Sequence, residues 1–384
     1  MENTTANNNN LKDYNNVNEV QAKLLAQLAA ADKEQERSTF LSPLSIYACL
    51  LLLTEGLSGD ARKECTIFLD LLKTKGKLLS PELALSFKNL LNSKSPAFTM
   101  ANSIWVNKNL ELVAAYKKKV QDHHNALVKS IEMNSAGKAE INEWVSNSTN
   151  GLIRRISGSI GPATLLVIIN AIYFKGTWKS IFKSYLTSQR DFHLSQIAGH
   201  KVQVPTMVQT FKAQYTETEI NRLVVLPFEE DNIHFVASIP KDTTNFDPLT
   251  AFKATDIPQA LEGTKKKVNL TMPKFKIERT FDVKDLVQKL GLSKIFGFGN
   301  SEDFRGIIQD GEVVVSAITQ KAVIELDEHG AKAAAVTEMM LLGSCYNPNP
   351  EPIIEMTLNR PFAFFLVDKK SKLILFSGVY RGTN

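Results

Sequence analysis

The sequence predicts an α+β protein built as one domain. Segments with apolar residues at helical spacing alternate with short strand-like runs from residue 17 onward. One run, ATLLVIINAIYFKGTWKSIF over residues 163–182, is apolar nearly throughout, as a strand buried on both faces is. The chain closes on two strand-like runs, residues 362–367 and 373–379, around a charged turn. No linker composition and no internal repeat divides the 384 residues. Residues 1–16 form an Asn-rich tail with few apolar side chains, expected to be disordered. The folded domain is therefore expected over residues 17–384.

The elements follow in order. Val20, Leu24, Leu25 and Leu28 fall at helical spacing, so a first helix runs to about Ala31. Ser42 followed by Pro43 is a helix start, a capping oxygen and then proline in the first turn, where its missing N–H costs nothing. Residues 44–53 are apolar on most sides, which predicts a buried helix. Ser42 and Ser45 are then polar groups in a buried place, explicable as a cap with a local backbone bond. Helical patterns continue over about 60–73 and 81–93. Residues 98–107 read as a strand, 112–124 as a helix and 126–133 as a strand. Gly151 reads as a helix stop. Asn170 interrupts the apolar run, and a buried amide without partners costs about 1–3 kcal/mol. Strand-like runs at 223–227 and 234–239 alternate with turns, and a helix over 282–290 is ended by Gly291.

Composition excludes several functions. A hydrophobic content of 43% and a charged content of 22% are ordinary for a soluble protein. The formal net charge of +5 is too mild to call for nucleic acid. Lysine runs at 117–119 and 265–267 read first as solvated surface and second as candidates for weak polyanion binding. No apolar run is long enough for a membrane span, so no membrane partner is expected. The polar N-terminus lacks the pattern of a secretory signal. The expected location is cytoplasmic, or secreted by a route without a cleaved signal peptide. Cys49, Cys65 and Cys345 make no disulfide framework, which fits a reducing compartment. Sequons at Asn3, Asn147 and Asn269 matter only on the secretory path. G-x-S-x-G, H-E-x-x-H and G-x-x-x-x-G-K-[ST] are absent, and His123–His124 has no metal-ligand company. Neither an enzyme, nor a cofactor, nor a metal site is expected.

The informative stretch is KAVIELDEHGAKAAAVTEMMLLGSCYNPNP, residues 321–350. It alternates as a strand does. Ala331, Ala333, Ala335, Thr337, Met339 and Leu341 share one parity, with Lys332 and Glu338 on the other. It then runs into Gly343, Ser344, Cys345 and an Asn/Pro cluster, which is loop composition. A strand-competent segment feeding an exposed loop suggests a loop that can become a strand.

The run Glu328, His329, Gly330, Ala331, Lys332, Ala333, Ala334, Ala335 resembles the hinge of the reactive-centre loop in serpins, serine-protease inhibitors of the suicide type. The resemblance extends over nearly the whole chain in the family's order. It includes FLSPLSIYACLLLLTEGLSGDARKE, NAIYFKGTW, Asp303 to Ile307 and the C-terminal strand pair. It implies the serpin fold, with three β-sheets, eight or nine helices and an exposed loop over about 328–352. It also implies a monomer. The resemblance assigns Ser42, Ser45 and Asn170 to the shutter beneath the main sheet. It assigns Trp178, Lys274 and Glu328 to the breach, where the loop enters; Trp178 by itself reads as core. The hinge residues it implies are Glu328, Gly330, Ala331, Ala333, Ala334 and Ala335.

The implied activity is irreversible inhibition of serine proteases through a covalent acyl-enzyme complex. The cleaved loop would insert into the sheet as a strand. About 16 residues at roughly 3.3 Å each would carry the protease some 50 Å. Family spacing puts the cleaved bond between Ser344 and Cys345, with Leu342 and Met340 as alternatives. These residues suit chymotrypsin-, cathepsin G- or elastase-like targets, and no basic residue lies between Lys332 and Arg360 for a trypsin-like one. Three positions depart from the family pattern. Lys332 replaces an acidic residue, Ala331 replaces Thr or Ser, and Gln320 stands where many members have a histidine. The alternatives are a non-inhibitory serpin (chaperone, carrier or storage) and a cross-class inhibitor of cysteine proteases.

Overall fold

A helix that is apolar all round must be covered all round, and two sheets do this for the helix after Ser42. The computed structural model describes residues 21–70, 98–156, 158, 160–229, 232–250, 252–329 and 351–382. Seven α-helices lie among them: α1 (residues 21–33), α2 (Pro43–Thr54), α3 (Gly59–Asp70), α4 (Ala114–His124), α5 (Ser135–Ser148), α6 (Asp256–Leu261) and α7 (Lys284–Lys289). The helix expected at 81–93 lies outside the described residues, as do the tail and residues 330–350.

A five-stranded main sheet contains β2 (Phe98–Asn107), β3 (Leu127–Ile131), β4 (Leu166–Phe174), β10 (Phe275–Asp282) and β11 (Val315–Leu326). Its order is β10-β11-β4-β2-β3. β10 pairs with β11 antiparallel, and β4 with β2 antiparallel. β11 and β4 run parallel, in the register Gln320↔Asn170 and Ile324↔Phe174. The second sheet has nine strands. They are β1 (Thr39–Leu41), β5 (Ser188–His193), β6 (Lys201–Glu217), β7 (Asn221–Pro227), β8 (Ile233–Pro240), β9 (Lys265–Pro273), β12 (Ile353–Thr357), β13 (Phe362–Asp368) and β14 (Ile374–Tyr380). Hydrogen bonding thus joins the expected second and third sheets into one. The cause is β6, 17 residues long, which pairs with β9 along its middle and with β7 at its end.

α2 packs against β14 on one side and against β2 and β4 on the other, within the larger apolar cluster. The opposite face of the main sheet carries a smaller cluster with α5, including Trp105, Ile141, Val145, Ile169, Tyr173 and Val323. β4 is therefore buried at every position, as its composition requires. One expected run has different limits: that at 163–182 is strand only over Leu166–Phe174; beyond it the chain leaves the sheet, and Trp178 and Phe182 enter the core as single rings. At Lys274, after a proline that has no N–H to donate, the chain passes from β9 in one sheet to β10 in the other.

Aromatic rings join the layers. Phe40 stacks on Phe376 at 5.3 Å and on Phe364 at 6.0 Å, and Phe174 meets Phe376 edge-on at 5.8 Å. Gly378 is what lets β1 and β13 close on β14. A Cβ there would stand 2.3 Å from Phe364 Cζ and 2.6 Å from the Thr39 carbonyl oxygen. Gly378→Ala is expected to destabilise the fold by about 1–3 kcal/mol through overpacking, read as a lowered urea midpoint.

Candidate functional site

The parallel seam between β4 and β11 has buried polar groups beneath it. Ser42 caps α2 from an extended backbone (φ −111°, ψ 101°), and its Oγ accepts from Ser45 N at 3.3 Å. The same hydroxyl donates to the Leu375 carbonyl at 2.7 Å, tying α2 to β14. Ser45 Oγ donates to Asn170 Oδ1 at 2.6 Å. Gln320 closes the group from the other strand. Its Nε2 lies 2.8 Å from Ser45 Oγ, 3.0 Å from Asn170 Oδ1 and 3.0 Å from the Ser42 carbonyl, and its Oε1 accepts from Ser42 N at 2.9 Å. Asn170 Nδ2 then donates to Asn102 Oδ1 on β2 at 2.7 Å, where the Cys49 thiol also reaches at 3.6 Å. Burial pushes the Cys49 thiol up to about 12, so it stays a neutral donor.

Ser42, Ser45, Asn170 and Gln320 are all buried, and each amide there has partners for its donor and acceptor ends. The network ties β11, β4, β2 and α2 in one layer. Asn102 was not singled out from the sequence. Its signal is parity: it stands in line with Ile104 and Val106, both fully buried and apolar.

A second group sits above the seam. Trp178 is 1% exposed and stacks on Phe228 at 4.4 Å, with Phe182 and Phe235 edge-on to it. Its Nε1 donates to the Asp327 carbonyl at 2.7 Å and its backbone N to the His329 carbonyl at 3.3 Å. Phe182 N reaches the Glu328 carbonyl at 2.9 Å. The segment after β11 is thus held by the segment after β4. Lys274 Nζ meets Glu328 Oε2 at 2.8 Å, with Glu328 buried and the lysine side chain 42% exposed. Burial opposes the Glu328 charge, but the Lys274 hydrogen bond and the backbone bond outweigh it. The carboxyl is held below its usual range.

The structure therefore brings Ser42, Ser45 and Asn170 together, and Trp178, Lys274 and Glu328 together. Gly330, Ala331, Ala333, Ala334, Ala335, Met340, Leu342, Ser344 and Cys345 lie outside the described residues. Asp327, Glu328 and His329 offer ligand atoms within 4.8 Å of one another. Lys274 already neutralises Glu328, and Lys175 lies 3.9 Å from Asp327, so the group is furnished with ammonium ions. Among the described residues, no helix is long and apolar enough to cross a membrane.

A sheet with a parallel seam over a satisfied polar layer, with the segment after β11 pinned at its top, defines a class that comparison with known proteins identifies. Residues 15–381 match the family described as Serpin (serine protease inhibitor). Serpin B6 of Macaca fascicularis is 27% identical over 367 residues, covering 91% of this chain and 95% of its own. Antichymotrypsin-2 of Bombyx mori is 30% identical over 359 residues, covering 90% and 92%. Iripin-5 of Ixodes ricinus is 30% identical over 357 residues, covering 89% and 88%. Human thyroxine-binding globulin shares the fold at a TM-score of 0.82 with 24% identity, over 97% of this chain and 99% of that one. The chain belongs to the serpin family and has the serpin fold.

Two outcomes follow from this geometry. Asn170→Ala leaves Ser45, Gln320 and Asn102 each short of a partner and is expected to destabilise by about 1–3 kcal/mol in urea unfolding. Lys274→Met is expected to cost about 1 kcal/mol or less at pH 7, since the pair is partly exposed. A carboxyl depressed in the folded state adds stability above its unfolded value, and that stability is lost as pH falls through the folded one. The Lys274→Met deficit should therefore shrink as unfolding is repeated at pH values falling below the ordinary glutamate range.

Proposed function

We propose that this serpin is an irreversible suicide-substrate inhibitor of serine proteases of the chymotrypsin, cathepsin G or elastase type. The observation that carries the reading is the parallel β4–β11 seam. A chain that leaves the top of β11 and turns back runs antiparallel to both strands. Entering between them, it replaces one parallel ladder by two antiparallel ones, whose pairing is slightly more stable per residue. The backbone bonds from Trp178 and Phe182 to His329 and Glu328 support the same path, because they start the chain toward β4. The seam corresponds to the shutter and its top to the breach.

The chemistry belongs to the protease. Its serine oxygen attacks the carbonyl carbon of Ser344, and the bond to Cys345 breaks. An ester is left on Ser344, and the departing amine becomes a new N-terminus at Cys345. Insertion of the released segment buries Ala331, Ala333 and Ala335 on the face toward the shutter. These small side chains suit entry into an interior that is already close-packed. Hydrolysis of the ester competes with insertion, so the rate of insertion decides between trapping and release.

The test is incubation with chymotrypsin-, cathepsin G-, elastase- and trypsin-like proteases and one papain-like protease. The expected result is a complex that survives denaturing electrophoresis with the first three, and a released fragment beginning at Cys345. Cleavage without a complex across the panel would reject inhibition, and a complex with the papain-like enzyme alone would move the target class. Ala333→Arg is expected to turn the protein from inhibitor toward substrate, with cleaved product rising several-fold at the expense of complex.

A further inference from the structure

A second set of polar groups crosses the seam, on the face opposite the shutter. In the parallel register Phe174 stands opposite Ile324, so Lys175 and Glu325 meet at the upper end. Lys175 Nζ lies 2.6 Å from Glu325 Oε1, and the Tyr173 hydroxyl donates to Glu325 Oε2 at 3.3 Å. Both carboxylate oxygens of a β11 residue are thus engaged by groups on and just after β4. Lys175 and Glu325 are each 28% exposed, out of bulk water but not dry. The ring of Tyr173 is packed in the front apolar cluster beside Val323, which fixes where its hydroxyl points. The Lys274–Glu328 pair lies toward the β10 side of β11 and does not span the seam.

We propose that Glu325, with Lys175 and Tyr173, is a clasp that holds β4 against β11 and so governs how readily the seam opens. Its role in inhibition rests on the strand-insertion reading above. Neighbouring strands lie about 4.8 Å apart, so admitting a third doubles the spacing to roughly 9.6 Å. A packed tyrosine ring cannot follow its partner over that distance. Glu325 is a positioning residue: it touches no reacting atom and acts through the spacing of two strands.

The charge of Glu325 is essential to the clasp. It faces Lys175 and Tyr173 from the β4 side, Lys276 directly opposite on β10, and Asp327 further along its own chain. Burial opposes ionisation there, but the hydrogen bond and charge of Lys175, with Tyr173 and Lys276, hold the carboxyl below its usual range. The clasp is therefore closed at pH 7 and loosens as pH falls through that depressed value.

The test uses the full-length protein and a synthetic peptide with the sequence of residues 331–342, whose uptake is followed by mass shift. Amide hydrogen exchange in β4 and β11 is followed without peptide. E325Q and K175M are each expected to take up peptide about two- to five-fold faster at pH 7, the range expected from exposed to half-buried pairs. Lys175 also lies 3.9 Å from Asp327, so the double variant can exceed E325Q but should fall well short of the product of the two single effects. Wild-type uptake should accelerate on acidification toward E325Q, whose own profile stays flatter. Additive effects of the two substitutions, or exchange in β4 and β11 unchanged by E325Q, would overturn the clasp even if the wild-type protein takes up peptide. If no protein takes up peptide while E325Q still raises exchange, the insertion reading fails and the clasp stands.

Discussion

Asn170 lies in the middle of a strand buried on both faces, where an unpaired amide is expensive. Three elements supply its partners: Ser45 from α2, Gln320 from β11 and Asn102 from β2, and the last two strands also flank it in the ladders. Each partner is in turn satisfied by another. The arrangement makes β4, β11, β2 and α2 mutually dependent. Displacing one strand strands several polar groups at once, so the layer resists small displacements and yields only to a full exchange of partners. That property suits the proposed function, in which the sheet stays shut until a competing strand offers a complete new set of backbone bonds.

Much of this could be read in the chain before any coordinates. Ser42–Pro43 marks a helix start by chemistry alone, and an asparagine inside VIINAIYF declares a buried amide. The strand at 98–107 has the limits that its composition predicts. Other features depend on pairing, which composition does not encode. Asn102 stands in a strand of mixed residues and becomes informative only once its neighbours on the same face are known to be buried. Lys175 and Glu325 are 150 positions apart, and only the parallel register brings them together. At Lys274 the break itself is visible, since Pro273 precedes it and the apolar positions shift from Val268, Leu270 and Met272 to Phe275 and Ile277, but that the two parts enter different sheets is not.

The two faces of the seam are held by different chemistry. On the face toward α2 the links are neutral amides and hydroxyls, closed off from water. On the other they are a carboxylate, an ammonium and a phenol, partly wet. Neutral links depend little on salt or acidity, whereas partly exposed charges respond to both. Among the described residues, the dry network of Ser42, Ser45, Asn102, Asn170 and Gln320 includes no histidine, the side chain that titrates near neutrality.

α5 has its own consequence. Asn134 closes its first turn by accepting from Ala136 N and Gly137 N, and Thr149 satisfies its last turn through Val145 and Ile153. The helix therefore carries its own end caps and leans on the main sheet through the smaller cluster, with Trp144 edge-on to Trp105, and through the ion pair of Glu140 with Lys129 on β3. An element that is locally complete at both ends can open as a unit below the cost of global unfolding. Under the proposed insertion it would step aside as an intact helix while a strand passes under it and then settle back, like a ferry gate that lifts and reseats without being dismantled.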